Sequence, residues 1–315
     1  MPSPARRPVV DLADHDLFTA DGIRLSARHE PALSEVEPAL PGDEPDGEPG
    51  GEPGGEPDGE PPARSLAFVV AHGFTGAWRR PDMQASVAAL RPVGAVIGFD
   101  FRGHGGSAGL STVGDLEVAD LEAAVAWARE LGYERLVTVG WSMGAAVAVR
   151  HAALRRGVDA VVSVSGPSRW HFRGTVPMRL VHRAIESRPG RAVAASFYGT
   201  RIVSSGWDPP PAPPDAVVGL IAPTPLLIVH GDADPFLPLD HAYWLAAAAR
   251  EPVDLWLERG FGHAETAASP DLVRRIAAWA CAAVDKADGK AVDKADGKAV
   301  DGADAPAAPS ARMRG

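Results

Sequence analysis

The sequence predicts an α/β protein built on a mostly parallel sheet with helices on both faces. Three observations carry this. Apolar runs such as Leu66-Ala67-Phe68-Val69-Val70-Ala71 recur without alternation, as strands buried on both faces do. Helical patterns separate these runs, and alternating β and α patterns imply parallel strands. Loops rich in Gly, His, Ser and Asp follow the apolar runs, at the sheet edge where such folds bind ligands.

The elements follow in order. Residues 16–20 and 23–27 alternate around Asp21-Gly22, a strong hairpin signal. Residues 41–62 then repeat Glu-Pro-Xaa-Gly and hold nothing that could build a core, so a disordered insertion is expected. The run 66–71 reads as a buried strand, Met83 to Leu90 as a helix, and Gly94 to Phe99 as the next strand. A helix is expected from Val113 to Leu131, capped by Ser111 or Thr112. Strands follow at 134–139 and 158–164, with the Ala- and Val-rich helix 145–155 between them. From Gly166 to Pro223 the pattern loosens. Strand 225–229, helix 240–249, strand 253–257 and an amphipathic helix from Pro270 to Val284 complete the expected single domain, 16–284. Residues 1–15 read as an N-terminal extension, and 285–315, with two octads of Ala-Val-Asp-Lys-Ala-Asp-Gly-Lys from 283, as a disordered polar tail.

Composition narrows the function classes. The formal net charge is −10 over 315 residues. Eight of those charges lie between 43 and 62, where there is no base, and the remainder gives no basic footprint for nucleic acid. No apolar run approaches the ~20 residues of a membrane span. Basic residues at the start lack an apolar segment behind them, so no signal peptide is expected. Cys281 is the only cysteine, which fits a reducing, cytoplasmic setting and reads as a buried small residue. Neither dinucleotide and phosphate-loop spacings nor a metal-ligand cluster is present, so no cofactor and no metal are expected.

The chemistry centres on Gly140-Trp141-Ser142-Met143-Gly144. A strand ends before it and a helix starts after it, the context of a nucleophile elbow. Glycines suit a tight turn where backbone passes close on both sides. The helix that follows aims its free N–H groups toward the serine, which favours an oxyanion. A serine hydroxyl needs a base within hydrogen-bond reach. His263, after the last strand and flanked by Gly260 and Gly262, is the best candidate. An acid must then orient the imidazole, and Asp232 and Asp234 compete for that role.

Taken together, His72-Gly73-Phe74, Asp100-Phe101-Arg102-Gly103-His104-Gly105-Gly106-Ser107, the elbow, His230-Gly231-Asp232-Ala233-Asp234 and Gly262-His263 resemble the α/β-hydrolase superfamily over roughly Leu17 to Val284. The order of nucleophile, acid and histidine matches it. The resemblance implies the α/β-hydrolase fold with a small lid at 166–223. It implies Ser142 as nucleophile, His263 as base and, from its G-x-x-D pattern, Asp234 as acid, with Asp232 shaping the turn. It points to the backbone N–H groups of Phe74 and Met143 as the oxyanion hole. His72 and His104 then shape loops. Ala145 departs from the third glycine of many relatives, and His72-Gly73-Phe74 is not the His-Gly-Gly-Gly form of many lipases.

Trp141, Trp170, Phe172, Phe197 and Tyr198 are expected to line the substrate pocket. Seven arginines and one acid, Glu186, lie between 169 and 201, which suggests a helix packing its apolar side on the domain with solvated arginines outside, a cap with a cationic rim for an anionic substrate, or arginines that hold the acidic insertion against the lid. The expected function is hydrolysis of small-molecule carboxylic esters with small or medium acyl groups through an acyl-enzyme. Thioesterase, amidase or peptidase, lysophospholipase and acyltransferase chemistry on the same residues are the alternatives, with a non-catalytic binding protein from another class.

Overall fold

A computed structural model describes residues 14–35 and 66–301, with side chains described through 287. The acidic insertion expected at 41–62, the N-terminal extension up to residue 13 and the end of the tail from 302 lie outside the described residues.

Eight strands form one sheet. They are β1 (Asp14–Phe18), β2 (Arg24–Glu30), β3 (Leu66–Ala71), β4 (Ala95–Phe99), β5 (Arg135–Trp141), β6 (Ala160–Val164), β7 (Leu226–Gly231) and β8 (Val253–Glu258). Their spatial order is β1-β2-β4-β3-β5-β6-β7-β8. The opening hairpin pairs antiparallel within itself and with β4, and all pairs from β4 to β8 are parallel. Every residue of β3, β4 and β6 is buried, whereas β1 and β8 at the edges keep exposed positions.

The helices are α1 (Pro81–Leu90), α2 (Glu117–Glu130), α3 (Met143–Leu154), α4 (Val176–Glu186), α5 (Arg188–Tyr198), α6 (Pro214–Val217), α7 (Asp240–Ala248), α8 (Ala264–Ala267) and α9 (Pro270–Asp301). Period-two alternation splits the strand side chains between two cores. On one face Val69, Ile97 and Phe99 pack with Leu121 of α2, Val147 of α3 and Leu245 of α7. On the other, Phe68, Val139 and Trp141 pack with Met83 and Val87 of α1 and Leu272 and Ile276 of α9. Among the described residues no helix is long and apolar enough to cross a membrane.

Three expectations shift. α2 starts at Glu117 rather than 113, because Val113 and Gly114 take positive φ values of 58° and 100°. Ser111 and Thr112 do not cap it; their hydroxyls donate to the buried Glu117 carboxylate instead. The loose stretch contains α4 and α5, each announced by Thr/Ser followed by Pro: Thr175 and Ser187 accept from Met178 N and Gly190 N as N-caps. The last helix continues past the expected end at Val284 to Asp301, because the octads carry helix-favouring alanines and no proline.

One buried ion pair fastens the hairpin to the rest. Arg102, 3% exposed, holds the fully buried Asp120 of α2 at 2.7 Å and reaches Asp21 of the hairpin turn at 2.9 Å. The Arg102 N–H also donates to Asp120 Oδ2 at 2.8 Å. Removing one partner of a buried pair strands the other charge, so Asp120→Ala destabilises the fold by about 3 kcal/mol. Urea unfolding of this variant beside the wild type measures that loss.

Candidate functional site

Parallel pairing brings the C-terminal ends of β3, β5, β7 and β8 to one edge of the sheet, and the loops after them converge there. Ser142 follows β5 directly and adopts φ 51°, ψ −113°, a strained conformation for a residue with a side chain. Its N–H donates to Val164 O at 2.9 Å, which fixes the turn. The flanking glycines are steric necessities. A Cβ at 140 would stand 2.3 Å from Gly144 O, and one at 144 would stand 2.2 Å from Ala71 O. The methyl of Ala145 is accommodated because Gly166 opposes it; a Cβ at 166 would come within 2.9 Å.

His263 Nε2 lies 2.9 Å from Ser142 Oγ, and His263 Nδ1 lies 2.7 Å from Asp234 Oδ2. A carboxylate can only accept, so Nδ1 carries the proton and Nε2 is left to accept from the serine hydroxyl. The side chain of Asp234 is fully buried. Its other oxygen accepts the N–H groups of Phe236 at 2.8 Å and Leu237 at 3.0 Å. Asp232 faces elsewhere and accepts the Gly260 N–H at 2.6 Å, the turn-shaping role. Gly231 lets the loops carrying Asp234 and His263 touch, since a Cβ there would stand 2.0 Å from Phe261 O.

The loop after β3 is held by side chains. His72 Nδ1 donates to Gly73 O at 2.8 Å, so its Nε2 accepts the Phe101 N–H at 3.1 Å. Gly76 N–H also donates to Gly73 O, at 2.9 Å. The Phe74 N–H has no partner among the described residues. Met143 is the first residue of α3, where N–H groups have no partner within the helix.

An apolar cavity of about 500 Å³ opens beside Ser142 and His263. Trp170, Phe172 and Tyr198 line it as expected, together with Met178, Ile185 and Phe236. The Trp170 indole N–H donates away to Pro211 O at 2.8 Å, leaving its ring as wall. Two expected pocket residues are elsewhere. Trp141 shares the face of β5 with Val137 and Val139 and is wholly buried in the core under α1 and α9. Phe197 is 80% exposed on α5 and is not part of the cavity wall. Of the seven arginines only Arg169 lines the cavity, so they form no cationic rim; Arg169 bonds Asp215 at 2.6 Å and stacks on Trp244. Among the described residues no group of three or more His, Cys, Asp or Glu stands together as a metal site. Sequence reasoning passed over Glu265, which is buried at this site and accepts the Gly73 N–H at 3.0 Å. Its position two residues beyond His263 was the available signal.

Buried imidazoles surround the site and are held neutral. Burial pushes His72 and His241 down to about 4, and His104 to about 3, where the neighbouring His72 adds to the effect. These groups bind protons more readily unfolded, with an ordinary value of 6.5. Their contribution to stability is therefore present above pH ~6.5 and is lost as pH falls toward about 4. Urea midpoints at pH 7 and pH 5 check this, with a loss of about 2 kcal/mol expected from His72 alone.

Residues 67–177 match the family model described as alpha/beta hydrolase fold. The uncharacterized protein YfhR of Escherichia coli O157:H7 is 28% identical over 167 residues, which are 51% of this chain and 50% of that protein. The chain thus spans about half the length of the curated relative it matches. An esterase of Pyrococcus furiosus, Pf2001, superposes with a TM-score of 0.58 at 20% identity, covering 87% of this chain and 89% of that one. A serine hydrolase of Xanthomonas campestris described as lacking a lid gives 0.52 at 19% identity, over 88% and 95% of the two chains. At such identities the likeness is one of fold.

Proposed function

The chain has the fold of the α/β-hydrolase superfamily, and from that premise we propose that it is a serine hydrolase cleaving carboxylic esters of small or medium acyl groups. The observation that carries this reading is the unbroken chain of hydrogen bonds from the buried Asp234 through His263 to the Ser142 hydroxyl.

Ser142 Oγ attacks the ester carbonyl as His263 Nε2 takes its proton. Asp234 holds the imidazole tautomer and stabilises the imidazolium that forms. The N–H groups of Phe74 and Met143 receive the developing oxyanion, a term that is often the largest in such catalysis. His263 returns the proton to the leaving alcohol, and water, activated in turn by His263, releases the acyl group. The 166–223 segment acts as a cap, and the aromatic and aliphatic wall it lends the cavity suits an acyl chain rather than a charged group.

Labelling with a fluorophosphonate probe and peptide mapping tests the nucleophile: modification falls on Ser142 and is absent in Ser142→Ala and reduced to background in His263→Ala. Failure of the wild type to label across detergent and salt conditions overturns the reading in favour of a binding protein. The acyl preference is read with p-nitrophenyl esters of increasing length. If the cavity takes the acyl chain, kcat/KM rises by about fourfold for each added methylene until the cavity is full.

A further inference from the structure

We propose that Glu265 is a positioning residue that latches the loop bearing Phe74 to the loop bearing His263, holding both in register over Ser142. The inference rests on the serine hydrolase reading for its catalytic consequence, but the latch itself is a property of the fold.

Glu265 lies in α8, the first turn after His263. Between them Ala264 takes a positive φ of 52°, a conformation that is costly for a residue with a Cβ. Ala264 N–H donates to the Ser165 hydroxyl at 3.1 Å, which holds the sharp turn. That turn sends the Glu265 side chain beneath the loop after β3. There it is only 8% exposed, and Oε1 accepts the Gly73 N–H at 3.0 Å.

The loop is shaped around this carboxyl group. A Cβ at Gly73 would stand 2.9 Å from Oε1 and 3.1 Å from Oε2, and one at Gly76 would stand 3.2 Å from Oε1. Gly73 thus clears the space Glu265 fills, and at Gly76 the carboxyl adds to the tighter contacts with Gly73 O and His72 Nδ1. With Gly73 O bonded to His72 and Gly76, and Gly73 N–H bonded to Glu265, both polar groups of Gly73 are taken. The neighbouring Phe74 N–H is the one left for substrate.

Burial pushes the Glu265 carboxyl above its ordinary value. Charge is thus disfavoured at this position, and what the loop uses is an acceptor oxygen. Packing alone would be served as well by an apolar residue, because a buried carboxyl has a desolvation cost. Glutamine keeps the acceptor and the bulk without the charge, which separates the latch from charge; Glu265→Met keeps the bulk without the oxygen acceptor, and its behaving as Glu265→Ala does separates the latch from bulk.

The test compares Glu265→Gln, Glu265→Met and Glu265→Ala in the full chain by two readouts. The first is amide hydrogen exchange of peptides covering 72–77 and 260–266, which needs no activity. Exchange of both accelerates in Glu265→Ala and Glu265→Met and stays near wild type in Glu265→Gln. The second is hydrolysis of p-nitrophenyl butyrate. A small displacement of an oxyanion donor acts on the transition state, so kcat falls about 10- to 100-fold in Glu265→Ala with KM little changed, and Glu265→Gln restores most of it. Unchanged exchange in Glu265→Ala or Glu265→Met overturns the latch, as does an equal loss in Glu265→Gln. A wild type that leaves Ser142 unlabelled defeats the hydrolase reading instead, and the exchange measurement still decides the latch.

Discussion

The turn at Ser142 exists because no side-chain carbon stands at positions 140 or 144. Backbone atoms of Ala71, His72, Gly144 and Ala145 fill the space that a Cβ would need. The contact packs β3 against the start of α3 and forces the serine to bridge them with a positive φ. Every other part of the site is measured from that fixed point. The loop after β3 leaves the same Ala71, so the Phe74 N–H inherits its position from the steric contact that positions the hydroxyl. Even the substitution at 145 is answered locally, by a glycine at 166 where the next strand ends.

Around the fixed serine, the polar groups are arranged so that each has one role. Asp234 spends one oxygen on two backbone N–H groups and the other on His263. His230, next to it, donates to Leu237 O at 2.9 Å and is kept neutral by burial, so it supports the loop without competing for the proton on His263. His72 does the same for the loop after β3. Several buried histidines in one small region would be a hazard if they charged. Burial prevents that at neutral pH, and the imidazoles that line the cavity itself, His263, His171 and His182, are the less buried ones.

Much of this was legible in the sequence because the constraints are short-range. Glycines at 140 and 144 flanking a serine, Asp-Gly between alternating strands and continuous apolar runs each report a local steric or burial requirement. That Asp234 and His263 stand beside Ser142 was legible through loop position after a strand. What was not legible depended on distant contacts. Trp141 looked like a pocket residue from its place beside Ser142, but strand alternation turns it to the opposite face. Phe197 looked like one from its type, yet it lies exposed on α5 and outside the cavity wall. In the loose stretch a helix with an apolar inner side and solvated arginines was legible; that it is two helices, α4 and α5, was signalled only by the Thr175 and Ser187 caps, each with a proline two residues on. Glu265 carried only the signal of lying two residues beyond His263, and its bond to the Gly73 N–H is seen only when the two loops are taken together.

The hydrogen bond from the Ser142 hydroxyl to His263 joins residues 121 positions apart in the chain. The serine, its strand and its helix can form early from neighbouring segments, but the histidine arrives on the loop after β8, at the far edge of the sheet. Contacts of such long separation are the slow ones in folding. The arrangement of Ser142, His263 and Asp234 is therefore complete only when β7 and β8 have joined the sheet. The geometry of the site is thus a report on the whole sheet: these three side chains meet only in a molecule whose architecture is finished.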